Sequence, residues 1–441
     1  MASKFIYNKE LPMKQIFLLF LLLPFYLDAK SHFISNIPLP KTYIMNLDPY
    51  PCDEACMAEY LENGMIFSFL SHATAKLDNP EQNDIRMINI AVLNLGSTLF
   101  KSKVKIAMLL PYKKIGRYAS STTNAAFAYL ITKNYSFELK SYKIKTESRE
   151  DIINSLEKIK SDGFSYVIAP FTTMGANIVA EINPKINIYF PTVNKNNVIS
   201  STSSLYYGAI DYEAQSDQLL KEAVSPLVIF NDRSLIGKKL SKYQESQFKL
   251  QQDEENNSIS LTGLFSLDDT EDLKVVEDTK RVINFSIPKR TTNLESKLKE
   301  NLDINDGSFF INTPVVKTGM IMSQLTLYDT NVTNILSTQI NYDPLLLSMT
   351  QYQDRKKMII ANSITKQNNV LIDANSLLGN DIVYDWINYT TTVGTDYFFN
   401  MITGENREYN IPLDNNQMIH DIELVQPVKA RFIKHIVTTL K

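Results

Sequence analysis

From Lys103 onward the chain alternates short apolar strands with amphipathic helices, and that alternation constrains its fold more than any other feature. Val104 to Pro111 is an apolar run that stops at a proline. Ala119 to Thr132 reads as a helix with a hydroxyl-rich start, Ser120 to Thr123, and Phe137 to Ile144 reads as a second strand. Ser148-Arg149-Glu150-Asp151 opens the next helix as a Ser-x-x-acid capping box, and Ile152, Ile153, Leu156 and Ile159 form its inner stripe. Phe164 to Ala169 is a strand, Gly175 to Ile182 a helix and Ile186 to Phe190 a strand. Strands joined by helical crossovers pair in parallel, so this half predicts a doubly wound sheet.

The pattern then restarts. Asp211 to Ala223 and Leu235 to about Leu250 read as helices around a strand, Pro226 to Phe230. Asp253 to Asn257 reads as a polar break before a strand, Ile259 to Phe265, and residues 273–300 as helical segments broken at Pro288. Ser308 to Ile311 and Ile335 to Ile340 are expected strands flanking a helix, Val315 to Leu327. The last hundred residues suggest a helix around Gly379 to Tyr389 and a strand pair, Glu408 to Leu413 and Ile422 to Val428. The expected fold class is α/β: two doubly wound three-layer lobes with a small helical N-terminal cap. The boundaries follow: 1–29 an export signal, 30–100 a proline-marked linker and the cap, and 101–428 the two-lobed region. Lobe 1 covers about 103–210, lobe 2 about 211–340, return segments about 341–428, and 429–441 is a tail. In the cap, Met57, Tyr60, Leu61, Met65, Phe69 and Leu70 recur at helical steps over residues 52–77. A further amphipathic run covers Ile85 to Leu99.

The first thirty residues have the layout of a cleavable secretory signal. Lys4, Lys9 and Lys14 precede an apolar run from Ile16 to Leu27, and Ala29 offers a small residue at the cut. That run is about a dozen residues, short of the roughly 20 a bilayer span needs. An uncleaved anchor is the alternative. No later segment is apolar enough to span a membrane, so the expected location is the periplasm.

Cys52 and Cys56 are the whole cysteine content. One helical turn sets Cα atoms roughly 6 Å apart, within disulfide range, and an oxidising compartment favours the bond. Two free thiols or a metal pair are the alternatives, and the chain lacks a second Cys or His pair at ligand spacing.

Apolar residues at 44% and aromatics at 10% describe a packed globular protein. A net charge of −3 with scattered Lys and Arg argues against nucleic-acid binding. His32, His72, His420 and His435 are the only histidines, and none stands in an acid-and-nucleophile motif. Neither Gly-x-Ser-x-Gly, a Walker loop nor His-Glu-x-x-His occurs, so no enzyme activity and no cofactor are expected.

Four pieces carry a resemblance. They are Ile106-Ala107-Met108-Leu109-Leu110-Pro111, Tyr166-Val167-Ile168-Ala169-Pro170-Phe171-Thr172-Thr173, Ile188-Tyr189-Phe190-Pro191-Thr192, and Pro226-Leu227-Val228-Ile229-Phe230-Asn231-Asp232. In order and spacing the chain from Lys103 to Val428 resembles the type I periplasmic solute-binding proteins. The Leu-Leu-Pro opening is also similar to the binding-protein-like domain of penicillin-binding protein activators. It departs from the family in having one glycine, Gly116, near the first helix, and in the added cap. The resemblance implies two functions. One is an envelope scaffold or regulator that keeps the fold and works through a protein partner. The other is the substrate-binding component of an ABC transporter, closing two lobes on a small polar ligand such as an amino acid or peptide.

Thr172 and Thr173, between a strand and a helix, are candidate ligand-binding residues, since hydroxyls and free N–H groups there suit an anion. Asp232, at the matching edge of lobe 2, is a candidate partner for a ligand ammonium. For both, plain helix capping is the alternative. Trp386 with Tyr384 and Tyr389 forms an aromatic cluster read as core. Five Asn-x-Ser/Thr sequons occur, at Asn134, Asn256, Asn284, Asn331 and Asn388. Asn256 and Asn331 also carry an acid two residues before, and both are expected in exposed connections, which makes them candidate N-glycosylation sites.

Overall fold

The structure is a computed structural model that describes residues 44, 52–74, 76–92, 104–133, 135–263 and 281–436. The chain divides into a leading unit, Met1–Pro38, outside the described residues, and a unit covering Leu39–Lys441. The export signal and the expected cleavage site therefore lie outside the described residues.

Two seven-stranded sheets organise the second unit. In the first, β1 (Val104–Pro111), β2 (Phe137–Ile144), β3 (Tyr166–Ile168), β4 (Asn187–Phe190) and β5 (Leu205–Tyr207) are parallel, in the order β5-β4-β3-β1-β2. The second repeats this with β6 (Leu227–Asn231), β7 (Val282–Ser286), β8 (Gly307–Asn312), β9 (Val332–Ser337) and β10 (Met358–Asn362), in the order β10-β9-β8-β6-β7. The hairpin β11 (Leu413–Asp414) and β12 (Gln417–Met418) extends the first sheet beyond β5. Asn415 and Asn416 form its turn, both with positive φ, as a two-residue hairpin demands. Antiparallel β13 (Glu423–Pro427) and β14 (Phe432–Lys434) complete the second sheet beyond β10. Helices cover both faces, so each sheet has an apolar cluster on either side. The expected pair of doubly wound three-layer lobes is what forms.

The chain passes between the lobes at three places: after β5, after β10 and after β12. The middle pass returns it to lobe 1, where the Asn369–Leu377 and Trp386–Thr403 helices pack on the Tyr118–Ile131 helix. The Trp386–Thr403 helix is buried over most of its length, from Asn388 through Asp396. Tyr129 Oη donates to Asp396 at 2.7 Å, and the Asp396 carboxylate also accepts from the Glu408 amide at 2.7 Å, which ties this late helix to the early one.

Several expected elements change. The cap holds two helices, Glu54–Glu62 and Ile66–His72, where one was expected over residues 52–77. Asn63-Gly64 divides them, with Gly64 in the left-handed conformation that ends helices. The Asp253–Asn257 break and the strand expected from Ile259 belong to one helix, Leu235–Gly263. Polar residues without Pro or Gly do not interrupt a helix. Val282–Ser286 is a strand, not helix, because its β-branched and aromatic side chains suit the edge next to β6. The helix expected around Gly379 to Tyr389 starts at Trp386, since Asp385 caps it through the Ile387 and Asn388 amides, while Gly379 ends the preceding helix. The expected closing strand pair is not a pair. Leu413–Asp414 belongs to the first sheet and Glu423–Pro427 to the second. The expected tail contributes β14.

Candidate functional site

The carboxyl ends of both sets of parallel strands meet in a cleft, where open α/β sheets place ligands. A cavity of about 420 Å³ lies there. Its lobe 1 wall includes Thr173, Asn194, Asn196 and Asn197, and its lobe 2 wall includes Tyr212, Glu213, Leu235, Ile236 and Lys239. The volume is in the range of small-molecule sites.

Thr172 caps the Thr173–Ile182 helix, accepting from the Gly175 amide at 3.4 Å. Its own donors are already taken. The Thr172 amide donates to Glu147 Oε1 at 2.7 Å, and the Thr172 hydroxyl donates to Glu147 Oε2. Glu147 is 2% exposed, and its carboxyl carbon would stand 2.7 Å from a Cβ on Gly175. The helix start is thus filled by a carboxylate of the chain itself. Thr173 is exposed and lines the cleft.

Asp232 follows the same logic in lobe 2. Its Oδ1 accepts from the Ser234 amide at 3.0 Å and the Ser234 hydroxyl at 2.6 Å, and Ser234 in turn accepts from the Gly237 amide at 3.0 Å. Arg233, between them, takes a positive φ of 67°. Asp232 therefore shapes the turn into the Leu235–Gly263 helix.

Buried amides and hydroxyls fill the rest of the lobe 2 edge. Gln215 Nε2 donates to Ser363 Oγ at 2.7 Å, the Gln339 amide donates to Gln215 Oε1 at 2.9 Å, and the Ser363 amide donates to Gln339 Oε1 at 2.6 Å. Beside them Asn312 and Gln244 exchange side-chain hydrogen bonds of 2.6 and 3.2 Å. Such networks hold a fixed geometry when their members are satisfied.

Contacts also cross the cleft. Lys239 of lobe 2 donates to Asn197 Oδ1 of lobe 1 at 2.8 Å and pairs with Glu213 at 2.8 Å. Tyr384, on the lobe 1 segment between the Asn369–Leu377 and Trp386–Thr403 helices, packs against both Tyr342 and Phe432 of lobe 2, with centroids 5.1 and 6.0 Å away. Trp386 meets Tyr212 edge-on at 6.3 Å. Of the aromatic cluster read as core, Tyr389 is fully buried, whereas Tyr384 and Trp386 join the lobes. Burial raises the Asp385 carboxyl above its ordinary range, against the helix amides it accepts from. Burial likewise raises the Tyr212 hydroxyl. Two apolar side chains that line the cleft are exposed, Leu235 at 91% and Ile236 at 46%.

Cys52 and Cys56 are joined by a disulfide, with Cα atoms 5.4 Å apart, across the start of the Glu54–Glu62 helix. Asn331 is exposed between the Val315–Leu327 helix and β9, with its Nδ2 donating to Asp306 Oδ1 at 2.5 Å. Asn256 lies within a helix and not in the connection expected for it. Asn134 is outside the described residues. Among the described residues no group of three or more His, Cys, Asp or Glu is placed to hold a metal, and no helix is long and apolar enough to cross a membrane.

Sequence reasoning missed Glu147, Asn197, Lys239 and Tyr342. Glu147 precedes the capping serine and reads as one more surface acid; only the folded chain carries it across to Thr172.

No family model matches this chain, and no curated protein matches it. Solved structures do. A substrate-binding protein of an ABC transporter from Sphaerobacter thermophilus aligns with 76% of this chain and 97% of its own, at 10% identity and a TM-score of 0.53. A solute-binding protein of an ABC transporter from Rhodopseudomonas palustris HaA2, in complex with p-hydroxybenzoic acid, aligns with 76% of this chain and 96% of its own, at 10% identity and a TM-score of 0.50. LpoA from Haemophilus influenzae aligns with 87% of this chain and 72% of its own, at 11% identity and a TM-score of 0.48. At such identities the likeness is one of fold, and the chain has the two-lobed α/β fold of the type I solute-binding proteins.

Proposed function

We propose that this chain is a non-enzymatic protein of the bacterial envelope that uses a solute-binding fold as a scaffold or regulator, acting through protein contacts at the cleft mouth. The observation that carries this reading is Glu147. It occupies the helix start in lobe 1 that would otherwise receive an anionic group of a solute. The lobe 2 edge is supported in the same way by its own amides, and Lys239 already has Asn197 and Glu213. An incoming polar solute finds few unpaired groups in these places, and it would break hydrogen bonds to enter. The exposed Leu235 and Ile236 at the cleft suit a protein partner better than a solvated rim. Export by the N-terminal signal belongs to the same proposal, and intact mass of the secreted protein tests it.

A second reading, capture of a small polar solute for a transporter, draws on the cavity of about 420 Å³. A thermal-shift screen with amino acids, short peptides and muropeptides separates the two. A true solute at a hundred times its dissociation constant adds about 2.7 kcal/mol. The scaffold reading expects no shift. A solute that stabilises the protein, and stops doing so in Asn194→Ala, replaces it with the transporter reading.

A further inference from the structure

On lobe 1 a second cavity, of about 630 Å³, opens over the carboxyl ends of β1 and β2. Leu110, Tyr112 and Ala119 give it an apolar wall; Ser120, Asn124 and Ser141 give it polar groups; Lys143 reaches its edge. Register concentrates charge here. Lys143 on β2 lies opposite Leu110, and the short Tyr112–Ile115 helix that follows Pro111 carries Lys113 and Lys114. Lys113, Lys114 and Lys143 are all exposed. None of the three has an ion pair or side-chain hydrogen bond to the described residues.

Their neighbours differ. Arg117 packs over the Tyr118 ring at 5.2 Å and faces Asp385 and Asp343, and Lys145 faces Asp151. One unpaired ammonium at the edge of an apolar-floored cavity, with two more on the short helix that follows β1, is a local excess of positive charge in a chain whose net charge is −3. An anion held at Lys143 gains from this local positive potential.

We propose that this cavity is a binding site for an amphipathic organic anion, with its apolar body on Leu110, Tyr112 and Ala119 and its acidic group at Lys143, while Lys113 and Lys114 on the adjoining short helix add to the positive potential. The hydroxyls of Ser120 and Ser141 and the amide of Asn124 orient the ligand. The apolar floor separates this from non-specific anion attraction, because a bare anion gains the charge and not the burial. The site is independent of the protein-contact reading, since none of its residues takes part in the Glu147, Gln215 or Lys239 contacts.

Calorimetric titration of the full secreted chain with phenyl phosphate and with inorganic phosphate tests it. Phenyl phosphate is expected to bind at least about tenfold tighter than inorganic phosphate, and to weaken as salt rises. Lys143→Ala is expected to weaken phenyl phosphate about tenfold or more. Ser141→Trp, which fills the cavity from an exposed strand position, is expected to abolish binding. Lys160→Ala, a substitution of an exposed lysine outside the cavity, serves as the control. Equal binding of the two phosphates overturns the proposal. So does phenyl phosphate affinity that survives Ser141→Trp, or that falls as far in Lys160→Ala as in Lys143→Ala.

Discussion

Glu147 shows how a single side chain can change what a fold is able to do. The Thr172 amide and hydroxyl point into a helix start that favours negative charge, and the chain supplies that charge itself. Glu147→Ala removes the acceptor of both the Thr172 amide and the Thr172 hydroxyl and is expected to lower stability by about 0.5–1.5 kcal/mol per hydrogen bond lost, read from urea unfolding midpoints. A neutral result would mean that solvent replaces the carboxylate freely, and that the helix start is open to ligands. His420 gives a second residue-level expectation. Its Nε2 contacts the Gly208 carbonyl at 2.8 Å, its ring lies 5.6 Å from Tyr389, and burial lowers its pKa to about 4. The unfolded chain takes up this proton near pH 6.5, so the stabilising effect of neutral His420 is fully present above that pH. It is lost as pH falls from about 6.5 to about 4, up to roughly 3 kcal/mol in all. Unfolding free energies at pH 7 and pH 4.5 should therefore differ less in His420→Gln than in the parent protein. Equal differences would show that the histidine is not the group being titrated.

At the scale of elements, the Trp386–Thr403 helix decides how lobe 1 closes. It lies so close to the sheet that a Cβ on Gly394 would stand 2.1 Å from Tyr189 Cε1, while the Tyr189 hydroxyl donates to the Thr390 carbonyl at 2.9 Å. Gly394→Ala should cost about 1–3 kcal/mol through overpacking, despite alanine's better helix propensity. Adding Tyr189→Leu should recover part of that loss, and a double-mutant cycle by chemical denaturation measures the coupling. Strictly additive effects would refute the close-contact explanation. The sequence indicates helices and strands in this region but not this contact, because Gly394 looks like a weak helix position until Tyr189 is placed against it.

At the scale of the whole molecule, each lobe is finished by residues remote in sequence. Phe432 on β14 packs on Tyr342 with centroids 4.7 Å apart, and β14 pairs with β13 from Pro427↔Phe432 to Val425↔Lys434. Truncation after Val428 is expected to lower thermal stability by about 2 kcal/mol or more, since it exposes the aromatic pair and one side of β13. Truncation after Ile436, which keeps β14, is the comparison. If the two truncations behave alike, the closing strand contributes nothing to the lobe. The same strand places Phe432 beside Tyr384, so losing it should also loosen the aromatic contact between the lobes.

The sequence alone determined the α/β class, the parallel order of the early strands and several helix starts. Those properties are local: apolar runs of strand length, period-3.6 stripes, and caps such as Ser148, whose Oγ accepts from the Asp151 amide at 3.2 Å. The tertiary structure decided the rest. Val282–Ser286 is a strand because β6 offers it an edge. Leu413–Asp414 and Glu423–Pro427 separate into different sheets because the chain crosses between the lobes just before β13. Thr172 and Asp232 were legible as positions at the strand ends, and both prove to be committed to partners within the chain. Those partners could not be read in advance, because Glu147 reaches Thr172 across 25 residues, and a pairing at that distance depends on the geometry of the folded sheet rather than on spacing along the chain.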